Sequence, residues 1–467
     1  MTPISTGTTQ PASCSRPAWL RPLLLGITLI AIVVLGISTV FRAGPYRIGG
    51  KRWGSEAHRT DFTVYREAGR AVLDGTNVYE AHNIRGWYFM YLPIFAVAMV
   101  PFALVSTFGA VLVWYVLSVL MLGHTVHLSG RLARRLFPGC QLADIWLYAA
   151  TVLLVLVPVV SGISRGQASL LVTYLVTLAV TLYFQRRPVL ASLCLAGSIV
   201  MKVFPALLVV YFLVKRQWTM LAATAVWLVL LVWLIPACVF GMRGNQALLR
   251  EWATTIALPA TAPDQAAGNT RYSQMISPYI DRNQSVQAVT IRWLVGPGKD
   301  RVDTGREQLA RRVATVINLG LLLVSAWACA RGRAETDQPT TLLQQCVIIL
   351  LMLFLSPVSW SHNYTVLALP AAVIIAASGK YRACRVALIV FVAASLLDLA
   401  VPLFHVRGAL LAGTVGLWVA LVAVLTGSRG PCLPESRLSP PRPPKRSKFE
   451  ASQMRCLSGR GSVLNET

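Results

Sequence analysis

The sequence has 467 residues, 55% of them hydrophobic and only 13% charged, with a formal charge of +25; soluble domains carry about 25% charged residues, so a soluble globular enzyme is excluded and a polytopic membrane protein is indicated. The basic residues lie in short clusters between apolar runs rather than as a stripe interleaved with aromatics, which argues against a nucleic-acid partner. The nine cysteines are scattered singly with no CxxC pair, so neither a zinc site nor a disulfide framework is expected.

In chain order, Arg16 and Arg21 precede an apolar stretch that runs to Phe41. Its length and the lack of a small-residue cleavage site predict a retained signal anchor behind a tail of residues 1–21. Further runs long enough to span a bilayer fall near 107–130, 144–162, 168–184, 219–240, 311–330, 342–356, 364–379, 385–403 and 408–427. The stretch 189–214 is interrupted by Lys202 and Pro205 and has basic residues at both flanks, so it reads as an in-and-back-out pair with Lys202 at the turn. The short apolar segment 91–105, with two prolines, reads as an interfacial helix. The expected fold class is therefore all-α and polytopic, with about twelve crossings over 22–427.

Placing the amino terminus in the cytoplasm puts "RLARRLFPG", "QRRP", "VKRQW", "ARGRAE" and "GKYRACR" inside, each with at least two Lys or Arg. The short outer loops then carry one at most, as the positive-inside rule requires. Twelve crossings return the chain to the cytoplasm, where the Pro- and Lys/Arg-rich tail 428–467 is not expected to fold. Two long segments, 42–106 and 241–310, fall outside and mix aromatic, glycine and charged residues.

Five polar features stand out at the ends of apolar runs: Asp61, "SRGQAS" at 164–169, "VMKVFP" at 200–205, "DRNQSVQ" at 281–287 and "SPVSWSHNY" at 356–364. Ionisable residues are costly there and need a reason. The topology drawn from basic residues alone puts all five on the outer side. Each has a plainer reading alongside: a surface ion pair for Asp61 with Arg59 or Arg66, a helix cap for Gln167 and Ser169, a snorkelling Lys202, a glycosylation sequon for "NQS" and a structural hydrogen bond for His362.

Taken together the features resemble glycosyltransferase family 87. Asp61, Tyr65 and Ala68 are similar to its D-x-x-x-Y-x-x-A pattern; Gly75 and Tyr79 follow, then Tyr91, Pro93, Phe95 and Pro101. Gly166-Gln167, Lys202 with Pro205, Asn283-Gln284-Ser285 and Ser356 to His362 resemble the later motifs, with Asn363 where the family usually has a second His and Leu92 where it often has Pro. The resemblance covers roughly residues 20 to 430 and implies a GT-C membrane fold. It also implies a polyprenyl-phosphate-mannose donor, a lipid or glycan acceptor, and an α-linked product formed with inversion on the outer face of the cytoplasmic membrane.

Inversion by direct displacement needs one general base, and Asp61 is the candidate. The leaving phosphate needs charge stabilisation, for which Lys202, Arg165, Gln167, His362 and Arg292 are candidates. Tyr65, Tyr91, Asn283, Gln284, Ser285 and Trp360 are candidate acceptor or sugar contacts. No cofactor is expected, and no metal, because Thr63 occupies the place of the second acid in a D-x-D pair. A lipid-linked-sugar flippase and a pentosyl transferase of the same fold remain the alternatives.

Overall fold

In the computed structural model the described residues are 20–41, 46–48, 51–53, 60–261, 277–297, 304–331 and 337–427. Residues 1–19, the tail 428–467 and parts of both long segments lie outside them, and with them most of the expected terminal tails. The described chain is helical apart from a three-residue hairpin, β1 (Tyr46–Ile48) with β2 (Lys51–Trp53).

Helix α1 (Leu20–Val40) is followed by α2 (Phe62–Asp74), two short helices α3 (Pro93–Ala98) and α4 (Val100–Ala103), and the long α5 (Thr107–Leu136). Helices α6 (Asp144–Leu154) and α7 (Leu156–Arg165) form one apolar run bent by 66°. Pro158 lies just past the bend and cannot donate to the carbonyl of Leu154, which favours a break there. Next come α8 (Ser169–Phe184), α9 (Pro188–Met201), a 3-10 turn at Phe204–Ala206 and α10 (Leu207–Val214). The Lys202 break expected from sequence is present: Lys202 has extended dihedrals, φ −149 and ψ 129. Its cause is local, since Pro205 has no N–H for the Met201 carbonyl and the helix stops there.

Helix α11 (Trp218–Val229) runs through a π turn into α12 (Ile235–Trp252), a second π turn and α13 (Leu258–Thr261). In sequence the apolar run ends at 240, where a long outer segment was expected to begin; the chain re-forms helix there after a break at Gly241 (φ 72). Arg243, Arg250 and Glu251 end the apolar run, but the helix they ride on is amphipathic, with Asn245 and Ile256 buried. It packs on the first long segment through a Trp252 Nε1 bond to the Met90 carbonyl (3.1 Å) and an Asn77–Glu251 bond (2.9 Å).

The remaining helices are α14 (Val286–Leu294), α15 (Thr304–Arg331), α16 (Gln338–Leu355), α17 (Ala368–Ala377, entered through a 3-10 segment at Ser361–Leu367), α18 (Arg382–Ala400), α19 (Pro402–Val406) and α20 (Ala409–Gly427). Helix α16 is the hub: every residue from Leu342 to Phe354 is buried, as expected of a helix apolar all round. Its buried Gln344 is satisfied by the Cys329 carbonyl (3.0 Å) and the Tyr211 hydroxyl (3.1 Å).

Among the described residues six helices are long and apolar enough to cross a membrane, seven if the bent α6–α7 pair counts as one span, with five shorter apolar helices beside them. Helical among the described residues apart from that hairpin, the chain is a multi-pass membrane protein. The segment 91–105 forms α3 and α4, too short to cross and partly buried at Pro93 to Ala96.

Candidate active site

Asp61 stands at the N-terminus of α2 but gives the helix no side-chain cap. An aspartate there ordinarily accepts from the first free amides. Here Thr63 bonds back to the Thr60 carbonyl through Oγ1 (2.8 Å), and the carboxylate is left to point elsewhere. The Asp61 amide donates to the Arg165 carbonyl (2.8 Å), which ties the start of α2 to the end of α7. That contact depends on Gly166, the residue ending α7 with φ 64, where an added Cβ would lie 2.7 Å from the Phe62 Cβ. A side chain would be strained by the dihedral and blocked by the neighbour.

The turn at Gly166 presents Gln167, whose Nε2 donates to Asp61 Oδ2 (2.7 Å) while its Oε1 accepts from the Tyr65 hydroxyl (3.1 Å). Tyr65 in turn shares a 2.9 Å hydrogen bond with the Tyr91 hydroxyl. Burial raises both phenols, Tyr91 to about 12, so they stay protonated. One carboxylate oxygen is thereby fixed. The other, Oδ1, is buried and has no hydrogen bond among the described residues; Arg85 Nη1 faces it at 3.6 Å. Burial raises the Asp61 carboxyl above its ordinary value, against the Gln167 bond and the Arg165, Arg85 and Arg282 cations, which pull it down.

A cavity of about 980 Å³ opens in front of Asp61. Arg165, Gln167, Lys202, Arg282 and His362 are among its polar lining residues, and Val203, Phe204, Leu207, Met352 and Leu355 among its apolar ones. Lys202 Nζ donates to Ser169 Oγ (2.9 Å) and to Asn363 Oδ1 (2.5 Å), and Ser169 Oγ also donates to Asn363 Oδ1 (3.2 Å). No carboxylate forms a salt bridge with it among the described residues, and burial lowers the ammonium to about 7. His362 is 5% exposed with its ring parallel to Trp360. Burial first, then the Lys202 and Arg165 charges, hold its pKa well below the usual histidine range, so it is a neutral imidazole.

Of the residues picked out in sequence, Asp61, Tyr65, Tyr91, Arg165, Gln167, Lys202, Trp360 and His362 line this one cavity. Asn283, Gln284, Ser285 and Arg292 are not among its lining residues. Asn283 Oδ1 accepts from the Ser285 and Ser359 amides, Gln284 Nε2 donates to the Asp281 and His405 carbonyls, and Ser285 Oγ caps α14 and donates to the Pro357 carbonyl. The Asn-Gln-Ser motif is a clamp between two loops that meet the cavity. Arg292 is fully buried behind it, donating to the carbonyls of Val406 (2.7 Å), Pro278 (3.0 Å) and Ile280 (3.0 Å). Replacing it with Leu orphans buried acceptors at about 1–3 kcal/mol each. Arg292→Leu should therefore lower the melting temperature of the purified protein, rather than weaken donor binding in a normally stable one.

Sequence reasoning missed Arg85; Arg282, Ser169 and Asn363 lay in motifs it picked out but were not named as site residues. Arg85 is held by a turn in which buried Asn83 Oδ1 accepts from the Arg85 (3.0 Å) and Trp87 (3.2 Å) amides. Its guanidinium also lies 5.4 Å from the Trp87 ring centroid. The available signal was a lone Arg among aromatics in "NIRGWYFMY".

The sequence pattern described as Glycosyltransferase family 87 matches residues 89–357, more than half of the chain. The chain belongs to that family. It is a glycosyltransferase, and the enzyme is 27% identical over 358 residues to the polyprenol-phosphate-mannose-dependent alpha-(1-2)-phosphatidylinositol mannoside mannosyltransferase of Mycolicibacterium smegmatis, covering 72% of this chain and 73% of that one. It is 28% identical over 355 residues to the protein of the same description from Mycobacterium tuberculosis, covering 72% and 74%. ArnT from Cupriavidus metallidurans, solved bound to undecaprenyl phosphate, aligns over 87% of this chain and 78% of its own at 15% identity and a TM-score of 0.35. At that score nothing about the site transfers to the enzyme.

Proposed function

We propose that the enzyme moves a mannosyl residue from a polyprenyl-phosphate donor to a lipid or glycan acceptor, with inversion and with Asp61 as general base. The observation that carries this reading is the unbonded, buried Asp61 Oδ1 in a cavity that is also lined by Lys202, Arg165 and Arg282 and by apolar residues. The acceptor hydroxyl gives its proton to Oδ1 as its oxygen bonds to the anomeric carbon. The bond from that carbon to the phosphate oxygen breaks, and the departing phosphate takes up the negative charge that Asp61 gives up. Fixed cations serve that charge without reorganising. The apolar lining residues suit a prenyl chain, and mannose is the sugar named for the two mycobacterial relatives.

The remaining parts of the proposal are a GT-C fold of about twelve crossings, both termini in the cytoplasm and the cavity on the outer face of the membrane. The short basic loops support the orientation, and cysteine-accessibility labelling of loops on both sides tests it. Purified protein incubated with radiolabelled polyprenyl-phosphate mannose and a total lipid extract should yield a labelled product. Absence of product with that donor, and transfer from a pentosyl donor instead, would replace mannose; no product with either would overturn the transferase reading for this site.

Two further expectations follow. Catalysis by one carboxylate and fixed cations predicts that EDTA leaves turnover unchanged. Arg85 lowers the Asp61 pKa, so Arg85→Gln should move the acid limb of the kcat/KM profile to higher pH. A base works only when deprotonated, and the rate falls as pH drops through its pKa. An unmoved limb would show that Arg85 does not act on the base.

A further inference from the structure

Helix α5 carries a continuous exposed stripe at helical spacing. Its first part is apolar: Leu112, Val113, Val116, Leu117 and Leu120 are 39–63% exposed. From the next turn its character changes, and His124, His127, Arg131 and Arg135 are exposed in turn. Residues three and four apart share a helix face. An apolar stripe suits lipid tails, whereas imidazoles and guanidinium groups beside hydrocarbon need partners.

The depth of this change can be read from the helix itself. Trp114 of α5 stacks on Phe62, beside Asp61, with ring centroids 5.1 Å apart. Seventeen residues separate Trp114 from Arg131, about 26 Å of helix, close to the ~30 Å of a hydrocarbon core. For a helix running near the membrane normal, that spacing puts Arg131 at the headgroup level of the leaflet opposite the cavity, with His127 about 6 Å and His124 about 10 Å further in.

The two imidazoles are held from behind. His124 Nδ1 meets the Tyr174 hydroxyl of α8 at 3.2 Å, and His127 Nδ1 meets the Tyr148 hydroxyl of α6 at 3.5 Å. Tyr148 reaches that position over Gly130, where a Cβ would fall 2.2 Å from its ring. These bonds engage Nδ1 of each ring and leave Nε2 without a hydrogen bond among the described residues; where the phenol donates, the ring proton sits on Nε2. The His rings lie 6.4 Å apart and within 27° of parallel. The two Nε2 atoms and the Arg131 guanidinium then belong to one exposed helix face. Asp144, an acid near this end, is engaged by Arg134, so among the described residues the face presents a guanidinium and ring nitrogens to an anion.

We propose that His124, His127 and Arg131, backed by Tyr148 and Tyr174, bind the phosphate headgroup of an anionic phospholipid in the leaflet opposite the active-site cavity. The site is independent of the donor reading, because its ligand is read without turnover. The full-length protein, delipidated in detergent and titrated with phosphatidylglycerol or phosphatidylcholine, is followed by native mass spectrometry. The wild type should retain one phosphatidylglycerol at least fivefold more tightly than phosphatidylcholine, the scale of one basic residue at an anionic surface. His124→Leu/His127→Leu/Arg131→Gln should remove that preference. His124→Gln/His127→Gln, which keeps side-chain N–H donors, serves if the first variant does not fold, and with Arg131→Gln added should lose at least fivefold. Equal retention of the two lipids by the wild type, or an unchanged preference in a folded triple variant that includes Arg131→Gln, overturns the proposal.

Discussion

Asp61→Asn should reduce mannosyl transfer by about three orders of magnitude, within the ~10²–10⁴ that a general base supplies, while the protein still inserts and purifies normally. The amide can keep the Gln167 contact by offering its carbonyl oxygen to Nε2 (2.7 Å in the wild type), and the backbone bond to Arg165 is untouched. What it lacks is a lone pair basic enough to take a proton at the Oδ1 position. The loss should therefore appear in kcat, with donor KM nearly unchanged. Wild-type turnover in the variant would remove Asp61 from the chemistry, whatever the fate of the donor assignment.

Lys202→Met should cost about 10²–10³ in kcat/KM, the usual worth of one fixed group facing developing charge. Its pH signature is more diagnostic than its size. In the free enzyme the Lys202 ammonium titrates at about 7, and only its charged form serves a departing phosphate. The wild-type kcat/KM should thus fall as pH rises through about 7, and fall on the acid side as Asp61, raised by burial, takes up its proton. In the Met variant the alkaline limb disappears and the acid limb remains. The same substitution relieves a desolvated cation, so the melting temperature should rise. A variant that is slow but keeps the alkaline limb would assign that limb to another group.

The cavity was largely legible because its residues break the apolar pattern. Asp61, Gln167, Lys202 and His362 are polar where a membrane helix should not be, so each announced itself in one dimension. Their holders did not. Asn363 reads in sequence as a departure from a second His, yet its Oδ1 receives both Lys202 and Ser169; that role exists only once α8, α9 and the 3-10 segment meet. The Asn283-Gln284-Ser285 motif and Arg292 were polar in the same way and were grouped with the ligands, because an amide or guanidinium looks alike whether it will meet a phosphate or a backbone carbonyl. The helix continuing past Gly241 was hidden for a related reason: Arg243, Arg250 and Glu251 end a hydropathy run without ending a helix that lies against other protein.

Asp61 and the Arg85 guanidinium that faces it are anchored to different parts of the chain. Asp61 is fastened through its amide to the Arg165 carbonyl and through Oδ2 to Gln167, both at the α7–α8 corner. Arg85 rides on a separate turn stapled by Asn83, and its 3.6 Å approach to Oδ1 is longer than a hydrogen bond. A shift of that turn would change the charge facing the carboxylate while leaving the carboxylate where it is, so on the proposed mechanism the strength of the base could be set without moving it.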